Sequence, residues 1–246
     1  MILVSDKAVP SFERCVSSIF SQSVTDYELI VIDDSFPDLG YEATIGALQF
    51  PPGKVRYFRN SEKRGLTWSL NQAINLSTGD YIVRIDADDE CLPKRLEVQG
   101  AHLDQNTEIS VSSALALSYR GDLVQTLGVP CDRLSLKMLS KNNPIVHSSV
   151  VFRRSALFQS GLYNNVFVKK QDYELWCRMV RHGLAIQTLD EHLVICDRRQ
   201  TQSFRTDFYG LFVRIYCGIR YGNFIEFFCR GIVVFCRRQI SKVLKI

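Results

Sequence analysis

Short apolar runs alternate with helical patterns through the first hundred residues of the chain. The apolar runs predict four β-strands, at Ile2–Val4, Tyr27–Ile32, Val55–Arg59 and Tyr81–Ile85. The stretches between them predict helices, at Pro10–Gln22, Tyr41–Gln49, Leu66–Asn75 and from Pro93 onwards. This alternation predicts right-handed βαβ units and an α/β fold with a mostly parallel central sheet flanked by helices.

The pattern is less regular after Leu103, but it still predicts four elements. They are strands at Ile109–Tyr119, Leu123–Leu127 and Val146–Phe152, and a helix at Tyr173–Arg181. The first two strands flank Gly121-Asp122 and predict a hairpin, and Gly183 is a typical helix stop. Since no repeat or linker interrupts residues 1–203, we expect them to form one domain.

Residues 204–246 form a basic, aromatic tail. From Asp197 to Ile246 there are ten Lys or Arg against three Asp or Glu, a balance of +7, while the preceding residues carry −3. The tail predicts an amphipathic helix whose apolar face is Phe208, Leu211, Phe212, Ile215 and Ile219. The following apolar run, Phe224–Cys236, has thirteen residues, whereas about 20 are needed to cross a bilayer. We expect peripheral binding to an anionic membrane rather than to nucleic acid; the alternative is a helical pair packed on the body.

The composition indicates a globular protein. Its hydrophobic content is 46%, which argues against disorder, and its formal net charge is only +4. The eight cysteines include no Cys-x-x-Cys pair and no zinc-ligand spacing. We therefore expect reduced thiols in a cytoplasmic protein.

Two acidic clusters follow predicted strands. Asp33-Asp34 comes after the second strand, and Asp86-Ala87-Asp88-Asp89 comes after the fourth. Ligands of parallel α/β sheets bind outside the carboxyl ends of the strands. Three carboxylates within four residues suit Mg²⁺ or Mn²⁺ bridging a substrate diphosphate; a solvated acidic turn is an equally good interpretation of this segment alone. Asp34 could accept a hydrogen bond from a base or a ribose, or simply form an Asx turn.

Asp172 and His147 are further candidates. Asp172 precedes a predicted helix, where it could be a general base, although a helix N-cap is the commoner role. His147 lies in a predicted strand, where a histidine with satisfied hydrogen bonds is commoner than a metal ligand.

Several short motifs follow one another along residues 1–203. They are Asp33-Asp34, Asn60, Gly65, Asn71, Gly79-Asp80-Tyr81, Asp86-Ala87-Asp88-Asp89 and Leu92-Pro93-Lys94-Arg95-Leu96, then Asn143-Pro144-Ile145 with His147, Val151-Phe152-Arg153-Arg154 and Gln171–Trp176. This order resembles the inverting glycosyltransferases of family 2, of the bacterial surface-polysaccharide type. The resemblance implies a GT-A fold, with a nucleotide-binding half at about residues 1–105 and an acceptor half at about 106–203.

The resemblance also implies roles for individual residues. On the donor side these are Val4 and Asp34 at the nucleotide base, Asp86 at the ribose or metal, Arg64 at the diphosphate, Asp88 as the leading ligand of Mn²⁺ or Mg²⁺, and Asp89 in support. Asp172 would be the catalytic base, and His147, Gln171 and Trp176 would lie on the acceptor side. The base would deprotonate an acceptor hydroxyl while that oxygen attacks the anomeric carbon, giving inversion.

The sequence departs from the family at three places. The first-strand turn reads Val4-Ser5-Asp6-Lys7 where the family has Pro/Thr-x-Tyr-Asn, so the usual aromatic side chain near the base is missing. Gln171 replaces a glutamate, and Asp197-Arg198-Arg199 replaces an Arg-x-His element. These changes leave the acidic cluster and Asp172 intact.

The resemblance implies a hexosyl- or N-acetylhexosaminyltransferase of surface polysaccharide synthesis. The donor would be a UDP- or dTDP-sugar, the acceptor a glycan or a polyprenyl-diphosphate-linked saccharide, and the location the inner face of the cell membrane. One alternative is a degenerate member that binds a nucleotide sugar or a partner without turnover. A sugar-1-phosphate nucleotidyltransferase is a weaker alternative, because Ser5–Pro10 lacks the glycines of its phosphate loop.

Overall fold

The computed structural model of the protein describes residues 1–47, 53–120, 123–197, 204–222 and 224–243. The strands are β1 Ile2–Ser5, β2 Leu29–Asp33, β3 Val55–Arg59, β4 Tyr81–Asp86, β5 Glu90–Cys91, β6 Ile109–Arg120, β7 Leu123–Leu127, β8 Val151–Arg153 and β9 Ala185–Ile195. The helices are α1 Val9–Phe20, α2 Tyr41–Ala47, α3 Leu66–Leu76, α4 Arg95–Gln105, α5 Leu136–Lys141, α6 Arg154–Ser160, α7 Gln171–Arg181, α8 Phe204–Tyr221 and α9 Phe224–Val243, with a 3₁₀ helix at His147–Ser149.

One twisted sheet connects these strands in the order β3-β2-β1-β4-β8-β6-β9-β5, with β7 paired to β6. The first four strands are parallel, as the sequence predicts. The second half is mixed, because β8 runs antiparallel to β4 and β6 while β9 runs parallel to β6. Val4 pairs with Ile32 on one side and with Asp86 on the other, so the carboxyl ends of β1, β2 and β4 meet at one edge.

The parallel strands are buried on both faces. Ile2 and Val4 belong to one apolar cluster with residues of α3 and α7, whereas Met1 and Leu3 belong to a second cluster with residues of α1. This separation follows from the two-residue alternation of side chains along a strand. Helices on both sides of a parallel sheet explain why its strands are almost continuously apolar.

The segment Val146–Phe152 corrects one prediction. Only Val151–Arg153 is a strand, and His147–Ser149 forms a 3₁₀ turn before it. The Oγ of Ser149 donates to the carbonyl oxygens of Val146 (2.9 Å) and Ala114 (2.7 Å). Serine hydroxyls that bond to nearby backbone compete with strand pairing in this way.

Helices α8 and α9 form a helical hairpin that packs on the body. Its side chains Val213, Cys217 and Phe227 are buried in the apolar cluster of the body. Arg214 Nη1 donates to the carbonyl oxygens of Leu139 (3.2 Å) and Ser140 (3.0 Å) in α5. The structure thus supports the packed-pair alternative for the tail, although part of its apolar surface stays exposed. The expected boundary near residue 203 lies outside the described residues, as do Arg198 and Arg199.

Close approach of the two helices depends on glycine. A Cβ built on Gly218 would lie 2.6 Å from the Cβ of Phe227, a distance that side chains do not tolerate. None of the helices in the described parts of the chain is long and apolar enough to cross a membrane.

Candidate active site

The acidic edge is formed by the carboxyl ends of β1, β2 and β4 and by the turn Asp86–Asp89. Asp86 is the last residue of β4, and the N–H of Asp89 donates to the carbonyl oxygen of Asp86 (3.0 Å), which closes the turn. Three carboxylates therefore leave the sheet at one point, but they face different surroundings.

Asp86 is fixed by a buried arginine and a serine. Arg84 pairs with both carboxylate oxygens of Asp86, with an Nη1–Oδ2 distance of 2.8 Å, and the Ser148 hydroxyl lies 2.9 Å from Oδ2. Burial opposes ionisation of Asp86, but the charge of Arg84, aided by His147 and by the hydrogen bonds, holds its pKa below the ordinary value. Asp86 is therefore an ionised carboxylate with a defined orientation.

Asp89 points into the protein. Its Oδ2 accepts from the Ser148 hydroxyl and its Oδ1 from the backbone N–H of Asp197 (2.9 Å), which follows β9. Burial and the negative charge of Asp86 raise the pKa of Asp89 to about 7. Both oxygens of Asp89 join β9 and the 3₁₀ turn to the acidic edge, and its supporting role at a metal stays a prediction.

Asp88 points outward and pairs with a residue that the sequence analysis did not select. Lys7 Nζ lies 2.9 Å from Asp88 Oδ2, and both side chains are half-buried. Lys7 belongs to the unusual turn Val4-Ser5-Asp6-Lys7 after β1, and the departure of this turn from the family pattern is the sequence signal for the pair.

The carboxylates suit a cation shared with a substrate better than a resident metal. In the part of the chain that the structure describes, no three His, Cys, Asp or Glu side chains converge as a metal-binding group. Mg²⁺ and similar ions are commonly held by one or two carboxylates together with substrate phosphates. Asp88, with Asp86 beside it, fits that arrangement.

Asp34 holds the loop before α3. Its Oδ1 accepts from Asn60 Nδ2 (2.7 Å) and from the N–H of Arg64 (2.8 Å), and its Oδ2 accepts from the N–H of Gly65 (2.8 Å). Gly65 has φ +85° and ψ 159°, a conformation that is essentially restricted to glycine. Asp34 is buried, so the structure assigns most of its hydrogen-bonding capacity to this loop.

Arg64 projects from the same loop to the surface. Its guanidinium group pairs with Glu62 (3.1 Å) and lies 5.0 Å from the ring centroid of Trp68. The side chains of Arg64 and Trp68 are both exposed.

The Asp172 cluster consists of Asp172, Asn143, His147 and Tyr163. Asp172 is the second residue of α7, so it is not the N-cap that was its alternative role; Lys170, in the left-handed conformation (φ 57°), occupies the N-cap position. Asn143 Nδ2 donates to Asp172 Oδ2 (3.0 Å), while Asn143 Oδ1 accepts from the N–H of Ile145 (3.2 Å). The backbone donor thus fixes which end of the amide faces the carboxylate.

His147 belongs to the short segment whose Asn143 contacts Asp172 and whose Ser148 contacts Asp86. Its Nε2 is 2.7 Å from the hydroxyl of Tyr163. Burial and the charge of Arg84 lower the pKa of His147 to about 4, against the opposing charges of Asp172 and Asp86. His147 is therefore neutral near pH 7, and both carboxylates are close enough to influence it.

The other two expected acceptor-side residues are buried. Trp176 has no exposed surface and stacks on Phe152, with ring centroids 5.7 Å apart. Gln171 is buried at the start of α7. The structure corrects the expectation for Trp176, which supports His147 from the core (6.0 Å between ring centroids) and lines no acceptor surface.

Comparisons with known proteins agree on one family description. A model of "Glycosyl transferase family 2" matches residues 7–182. A glycosyltransferase of Haemophilus influenzae is 29% identical over 76% of this chain and 71% of its own length. AmsE of Erwinia amylovora, a glycosyltransferase of amylovoran biosynthesis, is 27% identical over 79% and 73%. WfgD of Escherichia coli, a β-1,3-glucosyltransferase that uses UDP-Glc and α-D-GlcNAc-diphosphoundecaprenol, is 24% identical over 74% and 64%.

Solved structures share the fold at low sequence identity. Residues 1–349 of TarS from S. aureus give a TM-score of 0.73 at 13% identity, covering 94% of this chain and 71% of that one. The mannosyltransferase PcManGT from Pyrobaculum calidifontis, solved with GDP-Man and Mn²⁺, gives 0.69 at 16% identity, covering 95% and 68%.

Proposed function

The chain belongs to glycosyl transferase family 2, and from this premise we propose that it transfers a sugar, with inversion, from a nucleotide-diphospho-sugar to a hydroxyl group. The observation that carries the proposal is the segment of residues 143–148, which contacts Asp172 through Asn143 at one end and Asp86 through Ser148 at the other. Because this short segment joins the two carboxylates, a donor held at the acidic edge and a base at Asp172 would face the same space.

Asp172 would remove the proton from the acceptor hydroxyl as that oxygen attacks the anomeric carbon. Asn143 occupies Oδ2 of Asp172, so Oδ1 is the oxygen expected to take the proton. The amide is a neutral donor that keeps the carboxylate oriented. Attack from the face opposite the diphosphate gives the inverted product.

The donor would lie across the ends of β1, β2 and β4. Asp86 is oriented toward the ribose or metal by Arg84 and Ser148, and the backbone of Val4 lies between Ile32 and Asp86 where the base would approach. Asp34 would act on the base side mainly by fixing the loop that carries Arg64. Arg64 would have to leave Glu62 to reach a diphosphate.

Mn²⁺ or Mg²⁺ fits as a cofactor shared with the donor. Asp88 would be its leading protein ligand, with Asp86 close by. When bound, the ion would offset the negative charge that develops on the departing diphosphate. The presence of Mn²⁺ in the PcManGT structure supports this choice.

A UDP- or dTDP-sugar is the proposed donor, and a glycan or polyprenyl-diphosphate-linked saccharide is the proposed acceptor. TarS has been solved with UDP-GlcNAc, and WfgD acts on an undecaprenyl-diphosphate acceptor. Relatives in amylovoran and O-antigen biosynthesis support a role in surface polysaccharide synthesis. The alternative of a degenerate binding protein is not favoured, because Asp86, Asp88 and Asp172 are all present in the chain.

The helical hairpin is the proposed membrane contact. Large apolar side chains remain exposed on both of its helices: Phe212, Ile219, Phe224, Ile225, Phe228, Ile232 and Val233. The same segment carries the excess of basic residues in the sequence, which suits the anionic inner face of a cell membrane. Such contact would bring the enzyme to a lipid-linked acceptor. The side chains of Phe208, Arg237 and Arg238 lie outside those described.

A donor panel tests the proposed function. The full chain is incubated with UDP-glucose, UDP-GlcNAc, dTDP-glucose and GDP-mannose, in Mn²⁺ or in EDTA, and released nucleoside diphosphate is measured. We expect slow hydrolysis of at least one donor, dependent on Mn²⁺. If no donor were either bound or hydrolysed in Mn²⁺, the proposal would be contradicted.

A further inference from the structure

Lys7 occupies the position beside Asp88 where a cation is needed. Its ammonium group is 2.9 Å from Asp88 Oδ2, and it is the one cation paired with Asp88 among the described residues. A lysine side chain is protonated near pH 7, so Lys7 brings a positive charge to the acidic edge.

The surrounding turn holds Lys7 in place. The Tyr41 hydroxyl donates to the backbone carbonyl of Lys7, and the N–H of Lys7 lies 3.4 Å from the Oγ of Ser5. The neighbouring Asp6 has its own partner, Lys63, at 3.2 Å. Since the backbone is anchored on both sides, only the flexible side chain of Lys7 is free to change partner.

A divalent ion at Asp88 would meet this ammonium group at close range. Two cations on one carboxylate repel each other strongly in a half-buried site. The repulsion is relieved when Lys7 leaves Asp88, and another anionic partner nearby would favour that change. The diphosphate of a donor brings such a partner, since its oxygens can accept from an ammonium group while others coordinate the ion.

We propose that Lys7 and the divalent cation compete for Asp88, and that the cation binds tightly only together with a nucleoside diphosphate that accepts Lys7. Lys7 is thus a diphosphate-binding residue of the donor subsite and couples metal binding to donor binding. The diphosphate half of this inference rests on the proposed function, whereas the competition for Asp88 can be measured with the metal alone.

The first test is a titration of the nucleotide-free full chain with Mn²⁺, in which electron paramagnetic resonance measures the free Mn²⁺. We expect Lys7→Gln to bind Mn²⁺ about 10-fold more tightly than wild type, since it removes the competing charge. Lys7→Arg should bind as weakly as wild type, and Asp88→Asn should abolish the gain in a Lys7→Gln background. Lys63→Gln is the matched control, because it removes a nearby ammonium group that pairs with Asp6, and it should leave affinity unchanged.

Equal or weaker Mn²⁺ binding by Lys7→Gln would overturn the competition, and so would a gain that survives Asp88→Asn. Thermal unfolding of each variant identifies any that fails to fold. If Lys7→Gln does not fold, the Mn²⁺ affinity of Lys7→Arg, which keeps the positive charge, is compared with that of wild type. Mn²⁺ binding by Lys7→Arg that is tighter than that of wild type would then overturn the inference.

The second test measures the coupling between Mn²⁺ and UDP, with GDP and dTDP as parallel probes. A nucleotide that binds should raise the Mn²⁺ affinity of wild type more than that of Lys7→Gln, since coupling between two ligands is reciprocal. Equal coupling would overturn the role of Lys7 at the diphosphate. If wild type bound none of the three nucleotides in Mn²⁺, the proposed function would fail, while the Mn²⁺ titration would still decide the competition.

Discussion

The acidic edge and the Asp172 cluster are linked through residues 143–148, but the partners of their carboxylates differ. Asp86 and Asp88 are paired with the cations Arg84 and Lys7. Asp172 is paired with the neutral amide of Asn143. A nearby cation favours the ionised form of a carboxylate and makes it a weaker base, whereas a neutral donor orients it with a smaller penalty. The difference suits charge binding on one side and proton transfer on the other.

Loss of Asp88 should have the largest effect on this comparison. Asp88→Asn removes the leading ligand of a shared cation, and we expect Mn²⁺-dependent donor hydrolysis to fall by about 100-fold or more. Released nucleoside diphosphate gives the rate. The control is Glu90→Gln, which removes a carboxylate two residues away that pairs with Arg14 instead. If Asp88→Asn kept the wild-type rate at all Mn²⁺ concentrations, the charge-binding role of the acidic edge would be wrong.

Loss of Asn143, the neutral partner of Asp172, should have a smaller effect on sugar transfer. Asn143→Ala deletes one hydrogen bond to a charged group, so kcat for transfer should fall about 10-fold while donor KM stays unchanged. Asn143→Asp should shift the acidic limb of the pH–rate profile upward, because a second carboxylate raises the pKa of its neighbour. Exposed Asn142→Ala is the control. An unshifted profile for Asn143→Asp would show that Asn143 does not act on the base.

The exposed apolar face of the helical hairpin is the proposed membrane contact, which would bring the enzyme to a lipid-linked acceptor. Replacing Ile225 and Val233 with glutamate should weaken binding to vesicles containing 30% phosphatidylglycerol by several-fold, because it removes apolar contacts and adds negative charge. Sedimentation measures the bound fraction. The control is Leu123→Glu, an equally exposed site on β7. Unchanged sedimentation of the double variant would remove the hairpin as the contact.

His147 should make a small contribution to the pH dependence of the free energy of unfolding. The pKa of His147 is lowered from 6.5 to about 4, so the unfolded chain binds a proton there at a pH where the folded chain does not. The contribution of His147 to the free energy of unfolding is fully present above about pH 6.5 and is lost as the pH falls toward 4.

Between about pH 6.5 and pH 4, we expect the free energy of unfolding, measured with urea, to change by about 1 kcal/mol less in His147→Gln than in wild type, allowing for partial solvent screening. The control is His182→Gln, at the exposed end of α7. If both variants gave the same profile, His147 would not be held neutral by its surroundings.

The sequence predicted the elements whose pattern is local. The first four strands and their parallel direction follow from apolar runs and helical spacing, and solved structures of glycosyltransferases confirm the expected α/β fold. The segment Val146–Phe152 was misassigned because its apolar ends resemble a strand, while the serine bonds that bend it reach residues far along the chain.

Side-chain partners were harder to predict than motif positions. Asp34 was recognised as a site residue, yet its bonds to the Arg64–Gly65 backbone depend on the fold. Lys7 and Asp88 are distant in sequence and meet only because β1 and β4 are neighbours. Trp176 resembles an acceptor-side aromatic in its motif, but only packing against Phe152 reveals that it is buried.

The central claim is that donor binding and proton transfer belong to different carboxylates, and Asp172→Asn tests it most directly. The measurement compares donor binding in Mn²⁺ with sugar transfer, in wild type and in Asp172→Asn, with the anomeric configuration of the wild-type product determined by NMR. We predict donor affinity within about 2-fold of wild type, transfer lower by about 100-fold or more, and an inverted product. Transfer by Asp172→Asn at the wild-type rate would contradict the account.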